Sequence, residues 1–408
     1  MLSRPALIAP DHTRSAVNVA RDAAAVLVVV AWTVVWARML WTPSGISWHF
    51  FSDGSRAFVH SSGLHLYARN PTLQIGPLTF VVTAMITWLP VPSARAVAQI
   101  LMTAAGPLMV WWLAPLVQVE RRTLRLALAA LVVIPAWTVL SVRWMHVDDV
   151  LAMVFTVAAI RAVAAGRATW AGLAIAAAAA SKPWALGFLP LLLVLDRRRI
   201  VAFAAAAAGL VACWAPFFVI DMQTLRALHP SVGVSADSGL RTFGYRGARV
   251  PSWGRTTQLM AAPLVGFASV LRRRWPGLFI AAFVARLALD PQDAAYYIGA
   301  AAVCAVIFDL LATRWTLPCM TIVTVLILWQ PFVPDFARAL TMSHGWSLYW
   351  YSHPATVGVV HTVWAVLTIG FVILAPDRWL GMEEPSVGIA LVNHTSPPRT
   401  PRETSKIG

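Results

Sequence analysis

Stretches of apolar sequence close to the length of a bilayer recur from one end of this chain to the other, and nothing else in it constrains the fold as much. A helix rises 1.5 Å per residue, so crossing roughly 30 Å of hydrocarbon takes about 20 apolar residues. Runs of that kind lie at Ala23–Leu40, Ala96–Leu116, Leu124–Val142, Val150–Ala165, Ile200–Ile220, Gln258–Leu271, Gly277–Leu289, Ala294–Leu311, Leu317–Trp329 and Thr356–Leu374. Two further stretches, Ile75–Pro90 and Trp170–Leu195, are broken by Gly and Pro and read as half-helices or re-entrant hairpins. Only 12% of the 408 residues are charged and 59% are hydrophobic. A water-facing surface needs about twice that charge, so an all-α polytopic membrane protein is expected.

The charge that remains is strongly biased, with 32 Lys and Arg against 17 Asp and Glu. Nucleic acid is not the partner this implies, because the arginines form short clusters between apolar runs, where they set orientation instead. Arg121, Arg122 and Arg125, Arg197–Arg199 and Arg272–Arg274 mark the cytoplasmic side. Asp53, the loop Asp221–Thr257, Asp290–Asp293 and the loop Pro331–Pro354 then fall outside. This topology requires Trp170–Leu195 to reverse at Lys182 and Ile75–Pro90 not to cross. The rival, in which both stretches cross, puts Arg121–Arg125 outside and a lysine at mid-membrane. Residues 1–22 are read as a cytoplasmic N-terminus with no cleavable-signal pattern, 23–376 as the membrane domain, and 377–408 as a disordered cytoplasmic tail. Cys213, Cys304 and Cys319 lie in apolar segments without CxxC spacing, so neither a disulfide frame nor a zinc site is indicated. Lysine occurs only at 182 and 406, a composition suggestive of a bacterial plasma membrane protein from an arginine- and alanine-rich proteome.

Few residues can carry chemistry. Asp53 follows the first span closely, where poor solvation can favour a general base; on spacing alone an ordinary hydrated carboxylate, or one paired with Arg56, fits better. His146-Val-Asp148-Asp149 offers hard ligands to a divalent cation, or a cap to the next helix. Lys182 is the sole lysine in the hydrophobic body and seeks an anion, unless it snorkels from a hairpin tip. Arg241, Arg246, Arg249 and Arg255 crowd an external loop and suit a lipid phosphate or anionic headgroups. Asp290, Asp293 and Tyr296 sit at a helix start and read as caps and interfacial aromatics, or as a secondary site.

In this order the pieces resemble the polyprenyl-phosphate-mannose-dependent enzymes of glycosyltransferase family 87, within the membrane-embedded GT-C superfold. The resemblance rests on Asp53, then Gly63, Leu66 and Tyr67, a short run ending Leu89-Pro90, Asp148 or Asp149 at a helix start, Gly166-Arg167, and Lys182-Pro183 before Arg197–Arg199. It implies a bundle of about 10–13 transmembrane or re-entrant helices. It further implies inverting transfer of a sugar, in the first instance mannose, from a polyprenyl-phosphate donor to a glycolipid or cell-envelope glycan. Asp53 would be the base; Lys182 with the loop arginines would hold the donor phosphate; Arg56, Tyr67, His146, Asp148, Asp149, Asp290, Asp293 and Tyr296 would form the acceptor or secondary site. No metal ligand set is certain, and membrane lipids are the surrounding partners. The family's Asn-Gln-Ser motif is absent from Asp221–Thr257, and its His-rich helix start is replaced by Asp290–Tyr297. A lipid transporter built around Lys182, or an inactive member of the superfold, are the competing classes.

Overall fold

A computed structural model describes residues 16–41, 45–71, 73–119, 121–228, 232–329 and 353–380. The expected loop Pro331–Pro354 falls almost wholly outside these residues, as do the tail beyond 380 and residues 1–15. Among the described residues every named element is helical, and the only β pairing is an isolated bridge between Gly233 and Arg249.

Among the described residues five helices are long and apolar enough to cross a membrane: Val19–Leu40, Val91–Leu116, Arg122–Trp144, Arg199–Ile220 and Pro354–Leu374. In chain order the elements are α1 (Ala16–Leu40), α2 (Trp48–Arg56), α3 (Leu66–Arg69), α4 (Pro77–Ala84), α5 (Val91–Trp112), α6 (Arg122–Thr138), α7 (Val147–Ala164) and α8 (Ala168–Ser181). After a 3₁₀ segment over Pro183–Arg198 come α9 (Arg199–Ile220), α10 (Gly239–Thr242), α11 (Ser252–Leu271), α12 (Leu278–Ala288), α13 (Tyr297–Ala312), α14 (Cys319–Leu328) and α15 (Pro354–Leu374). The helix starting at Ser252 takes Arg255 and Thr257 out of the loop in which the sequence pattern put them. Cys319 is exposed at the start of α14, while Cys304 is buried within α13.

The helices segregate by burial as a bilayer demands. α1 and α9 are apolar yet mostly exposed, with Leu27, Val34, Ile200, Val211 and Val219 all open to the surroundings. α12 and α13 are buried nearly all round, which is the signature of helices at the centre of a bundle. Each is only 11 or 16 residues long, so they pack as interior struts rather than full-length outer spans.

The two broken stretches turn back. Gly172 of α8 lies against the Ala202 carbonyl and Gly209 against Ala176, so α8 and α9 run side by side in the same direction. The 3₁₀ segment between them must therefore return, and Arg198 donates to the Gly166 carbonyl at 3.3 Å where it arrives. The chain reverses at Lys182, the first residue whose backbone leaves the helix (φ −142°, ψ 113°). Likewise α4 stops after eight residues. Its start is tied to the end of α8 by Gly76 N–H donating to Ser181 O at 2.9 Å. α5 then runs antiparallel to α6, with Gln99 donating to Val142 O and Trp137 donating to Met102 O.

One end of the bundle gathers the arginine clusters. Arg125 donates to the carbonyls of Asp309 and Thr313, Arg314 N–H to Leu380 O, and Arg274 reaches Val372 O, Ala375 O and Asp377. Each buried guanidinium there satisfies helix-end carbonyls that would otherwise be orphaned. The opposite end carries α2, the Lys182 turn, the loop before α11 and the start of α13.

The α8–α9 contact has no room for a side chain: a Cβ on Gly172 would overlap the Ala202 carbonyl oxygen. Gly172→Leu should therefore destabilise by about 1–3 kcal/mol or more, since backbone rather than a flexible side chain must give way. Gly370→Ala, on α15 where a Cβ meets open space, should leave stability unchanged or raise it slightly. Thermal unfolding of the two variants in detergent checks the contrast.

Candidate active site

The site begins with the left-handed turn that ends the chain's approach to α7. Met145 has φ 52°, which lets His146 fold under the first turn of α7. There Asp148 and Asp149, both buried, point toward the Lys182 turn. Lys182 Nζ donates to Asp148 Oδ2 at 2.5 Å and lies 3.4 Å from Asp149 Oδ2. The indole of Trp184 donates to Asp149 Oδ1 at 2.8 Å. His146 Nδ1 approaches both carboxylates, at 3.5 Å from Asp148 and 3.3 Å from Asp149. Its Nε2 shares a 3.1 Å hydrogen bond with Ser47 Oγ, just before α2. The cluster is thus built from three separate chain segments, and its charges compensate one another inside the protein.

A second layer lies behind it. The His146 ring stacks on Tyr296 with centroids 3.5 Å apart, and Tyr296 meets Tyr297 edge-on at 4.7 Å. The Tyr297 hydroxyl accepts from Arg286 at 2.9 Å, whose guanidinium also lies over the Tyr297 ring and pairs with Asp290. Sequence reasoning singled out Asp290 and the Tyr296-Tyr297 pair but missed Arg286, Trp184 and Ser47. Arg286 carried a readable signal, a lone charge inside an apolar run, the same signal that marked Lys182. Asp290 does not cap α13; it pairs with Arg286 and accepts from the Gln292 N–H. Asp293 pairs with His361 of α15, whose other ring nitrogen contacts Ile327 O at 3.0 Å. A small cavity beside that pair is lined by Asp237, Asp293, His361 and Thr362 among others. Burial, with Asp293 close by, pushes the Asp237 carboxyl above its ordinary range.

Asp53 is outside this cluster. It sits on α2 rather than on a loop tip, on the exposed face, with Ser52 Oγ donating to it at 3.2 Å. Trp48, Phe51, Ser52 and Ser55 form the buried face, and Phe51 meets the His146 ring at 5.9 Å. α2 therefore connects the two: one face rests on the buried charges and the other carries the carboxylate. Arg56 ends the same helix, half-buried. Tyr67 is buried and donates to Ile75 O at 2.7 Å, packed against Phe80, Trp214 and Phe217, so its hydroxyl braces the chain.

Arg241, Arg246 and Arg255 bind neutral oxygens. Arg241 donates to Tyr245 O, Arg246 to Arg241 O, and Arg255 to the side-chain oxygens of Gln258 and Gln74. Their positive charge is kept rather than cancelled. The Gln74 link also puts Arg255 two residues from Gly76, which touches the Lys182 turn. Arg249 is exposed next to the bridge with Gly233. Nearby, His65 Nδ1 contacts Asp221 at 2.8 Å and, with the Gln223 N–H, holds the Asp221 carboxyl below its ordinary range.

Residues 76–253 match the sequence model of glycosyltransferase family 87, the family whose motifs the chain resembles. The matched stretch runs from α4 to the start of α11, so it contains Asp148, Asp149, Lys182 and three of the four loop arginines, while Asp53 precedes it. The match supports a membrane glycosyltransferase. No curated protein and no solved structure matches the chain.

Removing one partner of a buried ion pair strands the other. Asp290→Asn should cost about 3 kcal/mol, at the low end for such pairs because Arg286 keeps the Tyr297 hydroxyl. Asp53→Asn, on an exposed helix face, should stay within about 0.5 kcal/mol of the parent. Thermal midpoints in detergent separate the two.

Proposed function

We propose, from the family match over residues 76–253, that the chain transfers a sugar from a polyprenyl-phosphate-sugar to a hydroxyl of a glycolipid or cell-envelope glycan, with inversion. Mannose is the first sugar to test, by resemblance. The observation that carries this reading is the grouping at one end of the bundle. An exposed carboxylate on α2, the arginines Arg241, Arg246 and Arg255 on neutral oxygens, and a buried charge cluster all lie opposite the end that gathers the cytoplasmic-type arginine clusters.

Inverting transfer needs little else. The acceptor hydroxyl attacks the anomeric carbon while Asp53 takes its proton; the bond from that carbon to the phosphate oxygen breaks, and the lipid phosphate leaves with the electron pair. Arg255, Arg246 and Arg249 are the cations proposed to meet that phosphate, with Arg241 ordering the loop through its carbonyl contacts. Guanidiniums suit this role because their fork of N–H donors matches phosphate oxygens. Lys182 is held by two carboxylates, so its part in donor binding is to fix the turn on which Gly76 and the Gln74–Arg255 contact depend. The prenyl chain remains in hydrocarbon beside apolar exposed helices such as α1 and α9.

Membranes containing the protein should transfer sugar from a prenyl-phosphate donor and not from a nucleotide sugar. Asp53→Asn should lower that rate by about 10²–10⁴-fold, the usual worth of a general base, with protein level and thermal midpoint unchanged. Arg255→Gln should mainly raise the apparent KM for the donor. Transfer at the parental rate by the Asn variant would remove Asp53 from the chemistry.

A further inference from the structure

His146, Asp148 and Asp149 bring one ligand atom each to within 4.8 Å of one another, the convergence by which side chains hold a metal ion. Hard divalent cations take oxygen ligands at 2.0–2.6 Å and favour carboxylates, so the donor set is chemically suitable. Yet the space in front of the two carboxylates already holds a positive charge. Lys182 Nζ reaches Asp148 Oδ2 at 2.5 Å and Asp149 Oδ2 at 3.4 Å. Two buried atoms of the group, Asp149 Oδ2 and His146 Nδ1, make no hydrogen bond of their own. Each borders the lysine's position or the other's, which is what ligand atoms left over from a cation site would do. The turn that carries the ammonium is itself fixed, because the Ser181 carbonyl accepts from both Gly76 N–H and Thr79 Oγ1.

We propose that Lys182 is a built-in cation standing where a divalent ion would otherwise bind His146, Asp148 and Asp149. The native protein needs no metal at this position, and deleting the ammonium uncovers a divalent-cation site. Lys182 is a positioning residue in this account: it neutralises the start of α7 and pins the turn against α4. The proposal is independent of which sugar is moved and of whether Asp53 is the base.

The test uses the full-length protein in detergent with Mn²⁺ as probe, followed by loss of the free-ion electron paramagnetic resonance signal. The native chain should show no stoichiometric site. Lys182→Ala should gain one, at least about tenfold tighter than any residual binding, the low end of what losing one supporting group does to a metal site. That site should disappear in Lys182→Ala/Asp148→Asn. Stoichiometric Mn²⁺ binding by the native chain would overturn the proposal, as would a folded Lys182→Ala protein that binds none. Should Lys182→Ala fail to accumulate, its production with and without added Mn²⁺ decides the matter. Folded Lys182→Ala recovered with Mn²⁺ supports the proposal; failure to fold with Mn²⁺ as without it overturns it.

Discussion

The pairing of Lys182 with Asp148 and Asp149 is the contact on which the site-bearing end of the bundle depends. An uncompensated lysine inside an apolar segment costs roughly 2.5–3.5 kcal/mol on insertion scales, and two neighbouring buried carboxylates are more costly still without a cation. Brought together they offset one another, but only if α7, α8 and the returning 3₁₀ segment meet at one point. That requirement fixes where the chain reverses. The reversal in turn presents the Ser181 carbonyl to Gly76, which sets α4, and α4 packs Phe80 beneath Gly54 of the helix that carries Asp53. A charge pair thus specifies the geometry of a surface several contacts away. Its value is specificity of arrangement more than net stability, as is common for buried ion pairs.

The same rule recurs wherever this chain places charge in its interior. Arg286 meets Asp290 and Tyr297, Arg125 meets helix-end carbonyls, and the Asp309 carboxylate accepts from Met320 and Thr321 N–H groups and so caps α14. Arg241, Arg246 and Arg255 depart from it: they donate to neutral oxygens, which leaves their charge available to an anion. That difference between compensated interior and uncompensated rim is the electrostatic basis of the functional reading.

Much of this was legible in the sequence. Apolar runs of bilayer length report helices directly, because period and length are local properties, and each of the ten runs recognised contains a helix, though the bounds differ at several ends. Lys182, His146, Asp148 and Asp149 stood out as charges or ligands beside apolar stretches. What could not be read was their partnership. Lys182 and Asp148 are 34 positions apart, and which of Lys182's potential anions it meets depends on whether α8 and α9 run parallel, a matter decided by Gly172 and Gly209 against backbone and alanine. Ser47 and His146 are 99 positions apart and meet only because the Met145 turn directs the histidine under α2. Tyr67 misled for the opposite reason: its family-like spacing suggests a substrate contact, whereas its hydroxyl is bonded within the fold.

The central claim is that the end of the bundle holding Asp53, the loop arginines and the Lys182 cluster receives a prenyl-phosphate headgroup. A prenyl-phosphate analogue with a photoreactive group beside the phosphate, cross-linked in native membranes and mapped by peptide mass spectrometry, addresses it most directly. Labelling should fall on Trp48–Arg56 and on residues 241–255. Labelling confined to the opposite end, around Arg122, Arg198 and Arg273, would contradict the account.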